Sequence, residues 1–169
     1  RFTGRQKVIS WYRSYHGGTA NAGAATGDFR RWYGSDEVPG FVKAFSPFPL
    51  FFTHGGKDAS EEEQVQAALN MLEEQILNEG PDNIASIMME SVVGAGGCLV
   101  MPPGYMQGIR ALCDQYGILM HIDEVMVGFG RTGKLFGFQN YEGVMPDIVS
   151  SAKGISSAAI PMSMTACNE

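Results

Sequence analysis

No stretch of this 169-residue chain approaches the ~18 consecutive apolar residues needed to cross a bilayer, and its first residues carry no targeting pattern. Cysteine is scarce. Cys98, Cys113 and Cys167 are odd in number, far apart, and include no CxxC pair. Neither a thiolate zinc site nor a disulfide framework follows from them, and a reducing, cytoplasmic setting is the simple expectation. A basic excess is also lacking. With 12 Lys and Arg against 18 Asp and Glu, the net charge is -6, which argues against a dedicated nucleic-acid binder. Repeats and low-complexity tracts are absent too.

What is present is the composition of a folded domain. Hydrophobic residues make up 44% and charged residues 18%, enough apolar surface to bury a core. The 22 glycines follow no collagen period and imply tight turns and close backbone approaches. The chain starts at Arg1 just before a strand-like run and stops at Asn168-Glu169 just after another apolar run. Both ends are therefore expected to be cuts through a longer protein.

Strand-like and helix-like segments alternate. Lys7 to Arg13 is β-branched and aromatic and predicts a strand; the Ala/Gly-rich His16 to Gly27 predicts a closely packed helix. Phe29 to Phe52, with Pro39, Pro47 and Pro49 and no period, predicts an irregular excursion. Its aromatics, with Trp11 and Trp32, suit packing or else a substrate wall or dimer contact. Ser60 and Glu63 have capping-box spacing, and Val65, Leu69, Leu72 and Ile76 continue a helix to Gly80-Pro81. A second helix runs from Pro103 to Tyr116. Apolar runs at Ile84–Val93, Ile118–Val125 and Asp147–Ala152 predict buried strands, with another at Met162–Cys167. This is an α/β pattern: a mainly parallel sheet covered by helices on both faces.

In such sheets ligands bind at the carboxyl ends of strands. The polar residues there are Tyr15-His16-Gly17, Glu90, Asp123-Glu124 and Lys153. A carboxylate or lysine leaving a buried strand needs a partner, so each alone fits a structural ion pair; together they read as a site. One competing pattern fails. The strand before Asp123-Glu124 looks like a Walker B strand and Gly128–Lys134 fits the start of a P-loop, but Leu135 stands where a magnesium-binding Ser or Thr is needed. No helix is evident after Lys134 to hold phosphates, so a nucleotide hydrolase is a remote alternative.

The order SYHGGT (Ser14–Thr19), MMESVVGAGG (Met88–Gly97), MHIDEVMVGFGRTG from Met120, and PDIVSSAKGISSA from Pro146 resembles the class III aminotransferases across nearly the whole chain. That resemblance implies a fold-type-I transferase using pyridoxal phosphate, and a homodimer whose sites are completed by the partner chain. It implies Lys153 as the lysine forming the Schiff base and moving the proton, and Asp123 as the carboxylate holding the proton on the pyridine nitrogen. It implies Tyr15 stacking on one ring face, Val125 closing the other from the Asp123 strand, and Gly17 allowing close approach. Glu90 is implied to orient the network around the ring hydroxyl. His16 is a candidate for orienting the site, and His121 for contacting Asp123 from behind. Alternation sends Glu124 to the opposite face, with Arg131 as its candidate partner; His54 receives no role.

The chain departs from the family pattern at Ser91, where a proline is usual, and at Ala158 and Ser163, where glycines are common. Ala95 stands where ornithine-type members carry a glutamate that gates a substrate arginine, and Met126 replaces a glutamine of that branch. Both changes resemble the ω-amine, taurine and β-alanine branches. The expected reaction moves an amino group from such a donor to pyruvate or 2-oxoglutarate. A class III aminomutase, or a related protein without transaminase activity, is the alternative. Residues 1–169 are expected to be the central part of the large domain. The phosphate-binding loop, the partner threonine and the small C-terminal domain are expected outside them, so the fragment alone is expected to be inactive.

Overall fold

The computed structural model describes residues 2–33, 38–52 and 54–168. Among these, the strands are β1 (Lys7–Trp11), β2 (Phe41–Ala44), β3 (Ile84–Glu90), β4 (Val92–Val93), β5 (Leu99–Val100), β6 (Leu119–Asp123), β7 (Ile148–Ser151) and β8 (Met164–Cys167). The α-helices are α1 (Ala20–Ala25), α2 (Glu61–Glu79) and α3 (Tyr105–Tyr116). Six strands form one sheet in the order β2-β1-β3-β6-β7-β8, parallel except for the antiparallel edge strand β8.

Side-chain alternation gives the sheet two unlike faces. One carries Ile9, Trp11, Ile87, Met89, Met120, Ile122 and Val149, all buried against α2 and α3. Helix α2 contributes Val65, Ala68, Leu72 and Ile76; α3 contributes Tyr105, Met106, Ile109, Leu112 and Cys113. Burial of each large aliphatic chain stabilises the fold by about 1.5–3 kcal/mol. The opposite face carries Met88, Glu90, His121, Asp123 and Ser150 in register. Helix α1 covers its far side, where Lys43 of β2 reaches the Ser10 hydroxyl and the carbonyls of Ala24 and Ala25.

Local chemistry sets the element ends. The capping box at α2 forms as its spacing predicts: Glu63 N–H donates to Ser60 Oγ and Ser60 N–H to Glu63 Oε2. Several boundaries differ from those predicted. The expected His16–Gly27 helix shortens to α1, because Thr19 begins it and Thr26 Oγ1 closes it on the Ala22 carbonyl. The irregular stretch contains β2, an edge strand too short to show a period, and a 3-10 turn at Phe29–Tyr33; residues 34–37 of that stretch lie outside the described residues. The predicted strand to Val93 ends at Glu90, and Val92–Val93 turns into a small hairpin with β5. The third strand ends at Asp123 instead of Val125. There the Asp123 side chain accepts the Val125 N–H at 2.9 Å, which turns the chain out of the sheet.

Of the aromatics, Trp11 belongs to the core, where its Nε1–H donates to Tyr105 Oη at 2.9 Å; Trp32 is exposed. Tyr105→Phe leaves that indole N–H buried without an acceptor. Unfolding free energy should fall by about 1–3 kcal/mol, read from denaturant midpoints at constant slope.

Candidate active site

The carboxyl ends of β1, β3, β6 and β7 meet around a cavity of about 290 Å³. Its lining includes Tyr15, His16, Gly17, Glu90, Asp123, Val125 and Lys153. Each of these seven is among the residues singled out in the sequence. Ala95, Met126 and Arg30 line it as well.

Register explains the convergence. Glu90 pairs with Asp123, and Asp123 with Ser150, so the three side chains share a face at the strand ends. Asp123 is 5% exposed and held at both oxygens. Oδ1 accepts the Val125 N–H, and Oδ2 lies 2.7 Å from His16 Nδ1. Because a carboxylate only accepts, Nδ1 carries the hydrogen. His16 Nε2 is buried with no hydrogen-bond partner among the described residues. The carboxylate retains unused lone pairs for one further donor.

Glu90 accepts the Tyr15 N–H at 3.1 Å and the Gly94 N–H at 2.7 Å, tying the segment after β1 to the one after β3. Burial pushes its carboxyl above the usual glutamate range, and these two donors oppose the shift. Gly17 has φ +127°, and a Cβ there would meet Ala22 Cβ at 3.1 Å. Its glycine is thus required by the turn into α1. Lys153 opens a 3-10 turn after β7 with φ +43°, a region costly for a residue with a side chain, and its Nζ lies 2.7 Å from Met126 Sδ.

Three expectations are corrected. Val125 lines the cavity from a turn, not from the Asp123 strand, for the reason given above. His121 shares the Asp123 face, but its Nε2 lies 2.8 Å from Ser150 Oγ, and His16 is the histidine bonded to Asp123. Glu124 points away from the cavity as alternation requires, but its partners are not Arg131. Oε1 accepts Ser91 Oγ–H at 2.7 Å and Phe138 N–H at 2.8 Å, and Oε2 accepts Gly137 N–H at 2.8 Å. These donors lie beside the buried carboxylate, whereas Arg131 is exposed. A side chain on Gly137 would run into Ser91 Oγ at 2.5 Å. The Glu124 carbonyl also accepts the Ser151 hydroxyl at 3.0 Å. Ser91, a departure from the family pattern, therefore has a defined use that proline cannot supply. Ala158 sits at φ +65°, so the glycine common there would relieve strain. His54 is buried with Nε2 2.9 Å from the Ser46 carbonyl, apart from the cavity.

Sequence reasoning passed over Arg30. Its guanidinium lies 4.5 Å from the Tyr15 ring centroid and 3.2 Å from Asp28 Oδ2. The only local trace is the acid two residues earlier, whose Oδ1 takes the Arg30 N–H.

The sequence profile of the class-III aminotransferases matches residues 1–169. The taurine–pyruvate aminotransferase of Bilophila wadsworthia is 40% identical over 159 residues, which cover 93% of this chain and 34% of that protein. The hypotaurine/taurine–pyruvate aminotransferase of Paracoccus denitrificans is 39% identical over 164 residues, covering 96% and 34%. The structure of taurine:2-oxoglutarate aminotransferase from Bifidobacterium kashiwanohense, solved with PLP and glutamate, superposes with a TM-score of 0.88 at 47% identity. That match covers 98% of this chain and 37% of the other. An (S)-enantioselective omega-transaminase from Thermomicrobium roseum superposes with a TM-score of 0.88 at 43% identity, covering 98% and 36%. The chain spans about a third of the length of the curated relatives it matches. Among the described residues no helix is long and apolar enough to cross a membrane.

Burial lowers the His121 pKa to about 4, so the native ring stays neutral where an unfolded one, near 6.5, takes up a proton. Between these values the unfolded state binds more protons, so stability falls as pH drops from about 6.5 toward 4. His121→Gln should flatten that part of the profile, measured as unfolding free energy against pH.

Proposed function

Because the chain belongs to the class-III aminotransferases, we propose that it is the central part of the cofactor-binding domain of a pyridoxal-phosphate-dependent transaminase. The enzyme moves an amino group from an ω-amine, β-amino acid or taurine-like donor to a 2-oxo acid, pyruvate or 2-oxoglutarate. It works in the cytoplasm as a homodimer. The names of the relatives support the substrate class, and Ala95 supports it from within the chain.

The single observation that carries the chemistry is one cavity holding a doubly anchored aspartate and a lysine at the ends of adjacent strands. A flat pyridine aldehyde fits its donor set: an aromatic face, a valine, a carboxylate with spare acceptor capacity, and an amine. When bound, the cofactor supplies an electron-poor ring that takes up the electron pair left as the substrate carbon loses its proton.

Each residue of this chain then has a definite task. Asp123 holds a proton at the ring nitrogen, and burial makes that pairing strong. His16 fixes the Asp123 carboxylate by one oxygen while the Val125 N–H fixes the other. Tyr15 and Val125 hold the ring between them and exclude water. Glu90 keeps Tyr15 in position through its main-chain N–H. Lys153 Nζ would hold the cofactor by its aldehyde group and, as the amine of the site, would take and return the proton of the reacting carbon.

The test uses the full-length protein. Wild type should carry an absorbance band near the visible edge that borohydride bleaches, and Lys153→Ala should lack both the bleaching and turnover. Asp123→Asn should lose about 10²–10³ in kcat, since it keeps the shape and removes the charge. Retained turnover in Lys153→Ala, or unchanged kcat in Asp123→Asn, would refute these roles. A donor panel of taurine, β-alanine, a simple ω-amine, ornithine and an α-amino acid reads the substrate class. Preference for ornithine would overturn the Ala95 argument alone.

A further inference from the structure

The roles above leave the left-handed backbone at Lys153 without a cause. We propose that Ser151, two residues earlier at the end of β7, is a positioning residue for Lys153. Its hydroxyl locks the turn after β6 to β7, and that turn sets how the lysine leaves the strand. The proposal rests on the transaminase reading and names what aims the reacting amine.

The argument starts from strain. A lysine at φ +43° is held against its own preference, and such a conformation persists only where the surroundings over-determine it. The side chain supplies little of that hold. Lys153 is exposed, and its Nζ meets Met126 Sδ, a weak acceptor that cannot by itself order a flexible four-carbon stem. The turn after β6, residues 124–129, supplies the rest. Phe129 in that turn is also left-handed, at φ +60°, and it packs on the residue next to Lys153. A Cβ on Gly154 would lie 3.0 Å from Phe129 Cβ and 3.1 Å from the Gly128 carbonyl oxygen. Met126 belongs to the same turn, so one turn meets Lys153 at its tip and its neighbour at the main chain.

Two hydrogen bonds register this turn against β7. Glu124 N–H donates to the Ser150 carbonyl at 2.7 Å, continuing the strand pairing. One bond alone lets the turn pivot about it. The second comes from Ser151 Oγ–H, which donates to the Glu124 carbonyl at 3.0 Å. That carbonyl already accepts the Gly128 N–H at 2.8 Å, so it is satisfied without the serine. The hydroxyl therefore answers no acceptor left bare by burial; what it adds is a tie between the strand that carries Lys153 and the turn that packs on it. Space is kept for it, since a Cβ on Gly128 would lie 2.8 Å from both Ser151 Oγ and Glu124 O. Ser151 is 1% exposed, so water does not compete for the bond.

The test uses the full-length protein freed of cofactor. Pyridoxal phosphate is added, its capture by Lys153 is trapped with borohydride at successive times, and the labelled peptide is located by mass. Ser151→Ala should slow capture by about tenfold to a hundredfold, the range for a reacting group displaced by about an ångström. In turnover the loss should fall on kcat, with KM little changed. Titration with pyridoxamine phosphate, which has the same ring and phosphate but no aldehyde, reads the rest of the cavity. Its affinity should be the same in Ser151→Ala and wild type, because the substitution touches only the aim of the lysine. Wild-type capture and kcat in Ser151→Ala overturn the proposal. So does a loss of pyridoxamine phosphate affinity as large as the loss in capture, which marks a serine that merely supports the cavity. Failure of the cofactor reading is seen separately, as a wild type without a Lys153-dependent, borohydride-bleached band.

Discussion

The parallel register of β3, β6 and β7 is the constraint on which the rest depends. It sets Glu90, Asp123 and Ser150 side by side on one face at the strand ends, and brings β7 out beside them just before Lys153. A slip of one residue would send Asp123 to the apolar face and Ile122 to the cavity. The register is fixed from behind. Ile87, Met89, Met120, Ile122 and Val149 fill an apolar core closed by α2 and α3. Packing on one side of the sheet thus aims the polar groups on the other.

Hydrogen bonds then refine what register places roughly. Three segments meet at the cavity: the chain after β1, the turn after β3 and the turn after β6. Glu90 joins the first two through the N–H groups of Tyr15 and Gly94, and Asp123 joins the first and third through His16 and Val125. Behind them Glu124 ties Ser91, Gly137 and Phe138 together, and its carbonyl holds Ser151. Adjacent residues in one sequence, Asp123 and Glu124, therefore face opposite ways. The first faces the chemistry, and the second secures the frame. Burial raises the Glu124 carboxyl above the usual range, opposed by these donors, which is the signature of a group whose neighbours are arranged around its charge.

Much of this was legible in the sequence because it lies in short, ordered patterns. The apolar runs at Ile84–Val93 and Ile118–Val125 marked buried strands, the Ser60–Glu63 spacing gave the start of α2, and the order of polar residues after each strand gathered the cavity. What stayed hidden depends on distance in space. Parity put His121 on the face of Asp123 but did not tell that Ser150 would take its ring and His16 the aspartate. The four residues of β2 are too few to show a period, and its place beside β1 comes from pairing alone. Val125 read as strand because its residue type favours one, and a side-chain hydrogen bond from its own N–H overrode that preference. Arg30 left no periodic or motif signal, since its position follows from meeting the Tyr15 ring across α1.

The Glu124 clamp has a consequence for what the chain tolerates. The carboxylate grips Gly137 and Phe138, while the segment between them and Val125 folds back on itself, with Phe129 and Gly130 N–H groups both donating to the Leu135 carbonyl. Residues 130–134 thus form the tip of a loop whose two stems are pinned by one buried charge, and loop closure grows costlier only slowly with length. Insertions at that tip leave the stems where they are. The loop is a place where new peptide can be grafted or lengthened without moving Asp123, provided Glu124 keeps its grip.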